Sequence, residues 1–171
     1  MVANPTVAKT PEGKIVMVYK GVGQGSMPKG GVVACRVAVA DQPLGPFRKI
    51  GGPIMVNPEN NWSVEDPYIW YQEDRFYALV KDFQGYFTKT GESSVALFES
   101  MDSINWLLCS NPLAFKRQII WEGGITQKVN ALERPQLLLL NGNPSVLYCA
   151  VGVDEERKES FNVAIPLRDS F

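Results

Sequence analysis

Three stretches of this chain follow one grammar, and they restrict its fold more than any other feature. They are "NPTVAKTPEGKIVMVYKG" from Asn4, "DPYIWYQEDRFYALVKDF" from Asp66 and "RPQLLLLNGNPSVLYCAV" from Arg134. Each opens with a polar residue and a proline. A short strand follows, then a turn of Gly, Pro, Asn, Asp or Glu, then a second strand with an aromatic residue near its end. Asn4 to Asp66 is 62 positions and Asp66 to Arg134 is 68. Such a period exceeds the roughly 40 to 45 residues of a WD40 blade and leaves room for four strands with long loops.

The continuations match as well. "VVACRVAVADQPLGPFRKIGGPIM" follows the first copy and "SSVALFESMDSINWLLCSNPLAF" the second, each supplying a third strand, a turn and a fourth strand. After the third copy, "FNVAIPLRDSF" offers one strand only. Pro and Gly interrupt every window where apolar residues might recur at helical spacing. The chain is therefore predicted to be all-β, one domain of three antiparallel blades over residues 4–58, 66–115 and 134–171, the last incomplete. The smallest propellers have roughly four blades, so three cannot close a ring. Open blade faces predict association, either a homo-oligomer, with two copies supplying six blades, or incorporation into a longer protein.

Composition removes several classes of function. With 171 residues, 45% of them hydrophobic, the chain is long enough to bury a core. Its 17 basic and 18 acidic residues leave a net charge of -1, so no electrostatic footprint for nucleic acid or an anionic membrane is expected. No apolar run approaches the roughly 20 residues of a membrane span, and "MVANPTVAK" has no apolar signal region, so a soluble chain is expected; its compartment is not specified. Histidine is absent, which removes Ser-His-Asp and Cys-His catalysis and His-ligated metals. Cys35, Cys109 and Cys149 are widely spaced in apolar surroundings and are read as buried thiols. No dinucleotide or Walker motif occurs, and no cofactor is predicted. The Gly-rich "GVGQGSMPKGG" at 21–31 lies between strands and is read as a mobile hairpin loop.

Asp66-Pro67 at a blade start, "DQPLGPF" and "ESMDSINW" before outer strands, and Glu133-Arg134-Pro135 at the next blade start resemble the five-bladed β-propeller glycoside hydrolases. This group includes arabinanases, β-xylosidases, invertases and anhydrogalactosidases of families 43, 32 and 117. The likeness spans essentially the whole chain and is similar to the carboxyl-terminal halves of uncharacterised bacterial members. It implies that the first strand of each blade lines a central axis, with the strand starts converging at one mouth. It also implies a saccharide as partner. Glycoside hydrolysis needs two carboxylates, one protonated to assist the leaving group and one ionised. By the resemblance Asp66 is the carboxylate that orients substrate or tunes a pKa, and Glu133 is a candidate acid. The first-blade carboxylate of the group has no counterpart here; Asn4 stands at that point and cannot act as a base. No metal ligands are specified.

Each candidate also has an ordinary structural reading. Asp66 either belongs to the site or caps the strand entry. Glu65 beside it would be held at the same mouth, with Asn4, Glu133 and Arg134 as neighbours across the axis. Glu133 and Arg134 alternatively form an ion pair between blades. Lys81 and Asp82 are either sugar-hydroxyl ligands or rim charges. Trp62, in a polar loop, is a candidate for stacking on a sugar face, Trp70 a weaker one, and Trp106 and Trp121 are assigned to packing. In "EGGITQK", Gln127 and Lys128 are poor substitutes for an acid, and Lys128 remains a candidate sugar contact. "DEERKES" at 154–160 reads as a solvated loop. Three functions follow: a glycosidase-like propeller, a carbohydrate-binding module that lost its base, and a scaffold that associates through its blade edges.

Overall fold

The computed structural model describes residues 1–24 and 31–167, so most of the Gly-rich loop lies outside the described residues. Thirteen strands are present and, among the described residues, no helix. β1 (Val2–Lys9), β2 (Ile15–Val22), β3 (Val33–Ala40) and β4 (Arg48–Ile54) form the first antiparallel sheet, in chain order. The second joins β5 (Val64–Gln72), β6 (Arg75–Asp82), β7 (Ser94–Ser100) and β8 (Leu107–Lys116). The third has three strands, β11 (Ala131–Leu140), β12 (Asn143–Gly152) and β13 (Ser160–Pro166). These are three blades, the third with three strands among the described residues.

One segment differs from the sequence reading. "EGGITQK" is not a plain loop: β9 (Gln118–Ile120) and β10 (Thr126–Lys128) pair as a small hairpin. Buried Ile119 and the adjoining Val129 anchor it to the core between the second and third blades. The strands are too short to show the alternation by which longer ones are recognised.

Turn chemistry sets the registers. Glu73-Asp74 and Asn141-Gly142 close two-residue hairpins with positive φ at both positions, the geometry that matches the twist of paired strands. The Xaa-Pro entries do something different. Asn4, Asp66 and Arg134 take φ of 51°, 51° and 56°. In each case the pairing with the second strand slips at that residue: between Ala3 and Thr6, Glu65 and Tyr68, Glu133 and Gln136. Proline has no N–H to give the ladder, so a bulge there loses no donor. A non-glycine residue in the left-handed region costs on the order of 1 kcal/mol, and all three blades carry it at the same place.

Two cores hold the blades together. Val16, Val18, Cys35 and Val37 of the first blade pack against Ile69, Ala78, Val80 and Phe98 of the second. Trp70, Leu79 and Val95 on the second blade's other face pack against Leu132, Leu147, Cys149 and Val163 of the third. β5 therefore lies between β1 and β11, and the three Xaa-Pro entries are neighbours. Cys35 and Cys149 are buried as expected, whereas Cys109 on β8 is half exposed. No helix among the described residues is long and apolar enough to cross a membrane.

Candidate functional site

Adjacent residues of a regular strand face opposite ways, so Glu65 and Asp66 should diverge. The left-handed bulge at Asp66 breaks that alternation, and both carboxylates turn to one place. There an oxygen from each of Glu65, Asp66 and Glu133 lies within 4.8 Å of the others. Two blade entries thus bring three acids together.

Cations from three blades balance this cluster. Lys81 donates to Glu65 Oε1 at 3.1 Å and to Glu133 Oε2 at 2.6 Å. Lys20, at the end of β2, donates to Glu65 Oε2 at 2.9 Å. Arg157 forks onto Glu133 at 2.7 and 3.3 Å. Lys81 also lies 4.9 Å from the centre of the Phe83 ring. An ion seated among the three carboxylates would have to displace the Lys81 ammonium, which already bonds two of them.

Asp66 is treated differently. It is only 6% exposed, accepts a hydrogen bond from Asn4 Nδ2, and has Arg134 Nε 4.0 Å away on a largely exposed side chain. Among the described residues no ammonium bonds it. Burial, then the charges of Glu65 and Glu133, push its carboxyl above the usual range despite Lys81 and Arg134. Glu133 shifts the other way. Burial works to raise it, but the hydrogen bond and charge of Lys81, with Arg157, outweigh burial and hold it below the usual range. Lys81 is correspondingly raised, its bonds to Glu133 and Glu65 overcoming burial. Carboxyls pushed apart in this way mark which one carries a proton more readily. The two carboxyls are thus shifted in opposite directions, Asp66 upward and Glu133 downward.

Above the cluster a cavity of about 240 Å³ is lined by Asn4, Pro5, Asp66, Pro67, Arg134 and Gln136. All six come from the three Xaa-Pro entries. A second cavity, about 230 Å³, lies between the second and third blades and has Lys81, Arg117, Glu133 and Arg157 in its wall.

Of the residues expected at the site, Asn4, Glu65, Asp66, Lys81, Glu133 and Arg134 gather here and three do not. Asp82 is fully buried. Its carboxylate accepts from the backbone N–H groups of Tyr86, Phe87 and Thr88 at 3.1, 2.8 and 3.1 Å, so it holds the loop after β6 and contacts no opening. Lys128 is exposed on the β9–β10 hairpin. Trp62 packs edge-to-face on Phe83 at 5.0 Å, outside the cavity wall. Trp70 is buried and stacked on Tyr77, and Trp106 packs on the first core. Trp121 is 39% exposed, with Phe161 at 6.1 Å and its indole N–H on Gln127.

Lys20, Arg157 and Gln136 were missed by sequence reasoning. Lys20 had a signal: it pairs with Ala3 as Lys81 pairs with Glu65, at the same place in the repeat. Arg157 had none, because it sits in the charged "DEERKES" turn, most of which is indeed exposed.

No protein-family model matches the sequence, and no curated protein matches it. Solved structures do. A sucrose-6-phosphate hydrolase from Lactobacillus gasseri superposes with a TM-score of 0.62 at 16% identity, over 92% of this chain and 30% of that one. A GH32 β-fructofuranosidase from Bombyx mori gives 0.59 at 17% identity, over 94% and 32%. A GH43 endo-arabinanase from Bacillus licheniformis gives 0.57 at 16% identity, over 96% and 53%. The chain spans about a third to a half of the length of these structures. Over nearly its whole length it has the blade fold of the GH32 and GH43 β-propeller glycoside hydrolases.

Proposed function

We propose that this chain is a glycoside hydrolase-like partial propeller that binds an oligosaccharide or polysaccharide at the mouth formed by its three Xaa-Pro entries. The observation that carries the proposal is the convergence of Asn4, Asp66, Arg134 and Gln136, from three blades, on one small polar cavity. Amide, carboxylate and guanidinium groups on a rigid frame suit the paired donor and acceptor character of sugar hydroxyls. Asp66 is the central acceptor, and Asn4 orients it.

Hydrolysis is the second reading, and the opposed shifts of Asp66 and Glu133 favour it. On this reading Asp66 holds the proton and Glu133 stays ionised. Asn4 supplies no base, so the chain alone is expected to bind without turning over.

Calorimetric titration with a panel of neutral oligosaccharides tests the proposal. Loss of a charged hydrogen-bond acceptor is worth about 1.5 to 3 kcal/mol, so Asp66→Ala should weaken binding about 10- to 100-fold. Lys128→Ala, on the outlying hairpin, should leave affinity unchanged. Equal affinities for the wild-type protein and Asp66→Ala would place the sugar elsewhere. Stability should separate from binding. The raised carboxyl of Asp66 makes the folded state hold its proton more tightly than the unfolded chain, so Asp66 opposes folding once pH exceeds its unfolded value of about 3.9. Asp66→Asn should therefore unfold at no lower urea concentration than the wild-type protein at pH 7.

A further inference from the structure

The cavity between the second and third blades carries three cations in its wall, Lys81, Arg117 and Arg157, and one acid, Glu133. Its carboxylate is already taken. Glu133 Oε1 receives Arg157 at 2.7 Å, and Oε2 receives Lys81 at 2.6 Å and Arg157 at 3.3 Å. The donors are not exhausted. An ammonium has three N–H groups and a guanidinium five, and among the described residues Lys81 gives one each to Glu65 and Glu133 while Arg157 gives two to Glu133. Arg117 donates to the backbone carbonyl of Asn130 at 3.0 Å and to Glu92 at 3.2 Å, and its buried Nε bonds nothing among the described residues. A buried donor without an acceptor is uncommon in folded proteins. The side chains of Arg157 and Arg117 are 51% and 31% exposed, so both guanidinium-bearing chains are open to solvent.

This character is not general to the openings of the molecule. The opening between the loop after β4 and the loop after β6, about 440 Å³, presents the amides of Asn57, Asn60 and Gln84 with one acid, Glu59, and one cation, Lys89. The mouth sets Asp66 against Arg134. In the wall beside Glu133 the cations outnumber the acids three to one. That wall is also close to the mouth: Glu133 there and Asp66 in the mouth have carboxylate oxygens within 4.8 Å of each other. Phe83 adds an aromatic ring to the same wall, a surface that suits the apolar face of a sugar.

We propose that the saccharide bound at the mouth is acidic and that its carboxylate or sulfate group seats in this cavity among Arg117, Arg157 and Lys81. This rests on the saccharide reading of the mouth and narrows it to one class. Guanidinium forks meet the paired oxygens of an oxyanion with two N–H groups at once, which a lone ammonium does not. A neutral sugar hydroxyl would find the one carboxylate of the wall already bonded. Glu133 repels an incoming anion, but Lys81 and Arg157 already bond its oxygens, and Arg117 adds a further positive charge. An oxyanion gives the spare N–H groups an acceptor.

Calorimetric titration with two matched pairs of sugars tests this: a galacturonic acid trisaccharide with its methyl ester, and a sulfated galactose trisaccharide with its unsulfated parent. One acidic sugar should bind about 10- to 100-fold more tightly than its uncharged counterpart, and the ratio should fall as salt is raised. Which pair shows the ratio identifies the anion. Arg117→Gln, which keeps an amide donor, should bring that ratio close to one while circular dichroism stays unchanged, and Arg157→Gln should lower it too. Equal affinities within both pairs for the wild-type protein overturn the inference and leave the saccharide reading standing. So does a ratio that survives both substitutions, since the anion then seats elsewhere. An acidic sugar held through Arg117 but indifferent to Asp66→Ala supports this anion site and overturns the mouth. Failure of all four sugars to bind overturns both.

Discussion

Replacing Lys81 by Met should destabilise the protein by about 1.5 to 3 kcal/mol at pH 7, the usual cost of losing charged hydrogen bonds from buried groups, here two carboxylates that keep Lys20 and Arg157 as remaining partners. Lys81 is 13% exposed and, among the described residues, is the one cation bonded to both Glu65 and Glu133, which are 14% and 7% exposed. Methionine keeps the bulk of the stem, so the loss reports charge rather than packing. Urea unfolding at several pH values gives the signature. Glu133 titrates below its unfolded value in the folded protein. Its contribution is therefore complete above about pH 4.3 and is lost as pH falls through the folded value. Without Lys81 much of that contribution is already gone. The gap between wild-type protein and variant should be widest near neutral pH and narrow below about pH 4. In a double-mutant cycle, Lys81→Met with Glu133→Gln should cost less than the two singles added. Additive costs and a pH-independent gap would mean that Lys81 is a rim charge.

Asp82→Ala should be at least as damaging, for a different reason. The carboxylate of Asp82 is the acceptor for three consecutive backbone N–H groups and for the Thr88 hydroxyl, in a position without solvent. Each buried donor left without an acceptor costs about 1 to 3 kcal/mol. A total near 3 kcal/mol or more is expected, with a clear fall in the urea midpoint. The loop is tightly closed: Gly85 has φ +63°, and a Cβ there would lie 2.5 Å from the carbonyl oxygen of Glu92. It has no room to re-form its bonds elsewhere. Asp82→Asn, which keeps one acceptor oxygen, should lose less than Asp82→Ala. A loss under about 1 kcal/mol for Asp82→Ala would show that solvent reaches those N–H groups after all.

These two residues also show what the sequence did and did not reveal. The frame was legible because each blade announces itself by a polar residue and proline, and because the Asn-Gly and Glu-Asp turns lie at repeat-consistent places. The mouth was legible for the same reason, since equivalent positions of a repeat must meet around a common centre. Lys81 and Asp82, however, were taken as a pair, and strand alternation sends such neighbours to opposite faces. One bonds the acids at the centre and the other holds a loop. Glu65 and Asp66 escape the alternation only through the left-handed bulge, which the Xaa-Pro dipeptide permits and does not by itself announce. Arg157 comes from a turn 24 positions beyond Glu133 and depends on how the third blade folds back. No local pattern carries that information. The role expected of Glu133 also rested on its place in the motif, while its protonation is set by Lys81 and Arg157, which the motif does not contain.

Whether a sugar occupies the mouth between the three Xaa-Pro entries is tested most directly by backbone amide chemical-shift mapping during titration with neutral oligosaccharides. The prediction is a saturable set of shifts centred on Asn4, Asp66, Arg134 and Gln136, absent from Asp66→Ala. Shifts centred instead on the exposed Trp121 hairpin, or none at any concentration of any oligosaccharide in the panel, would contradict it.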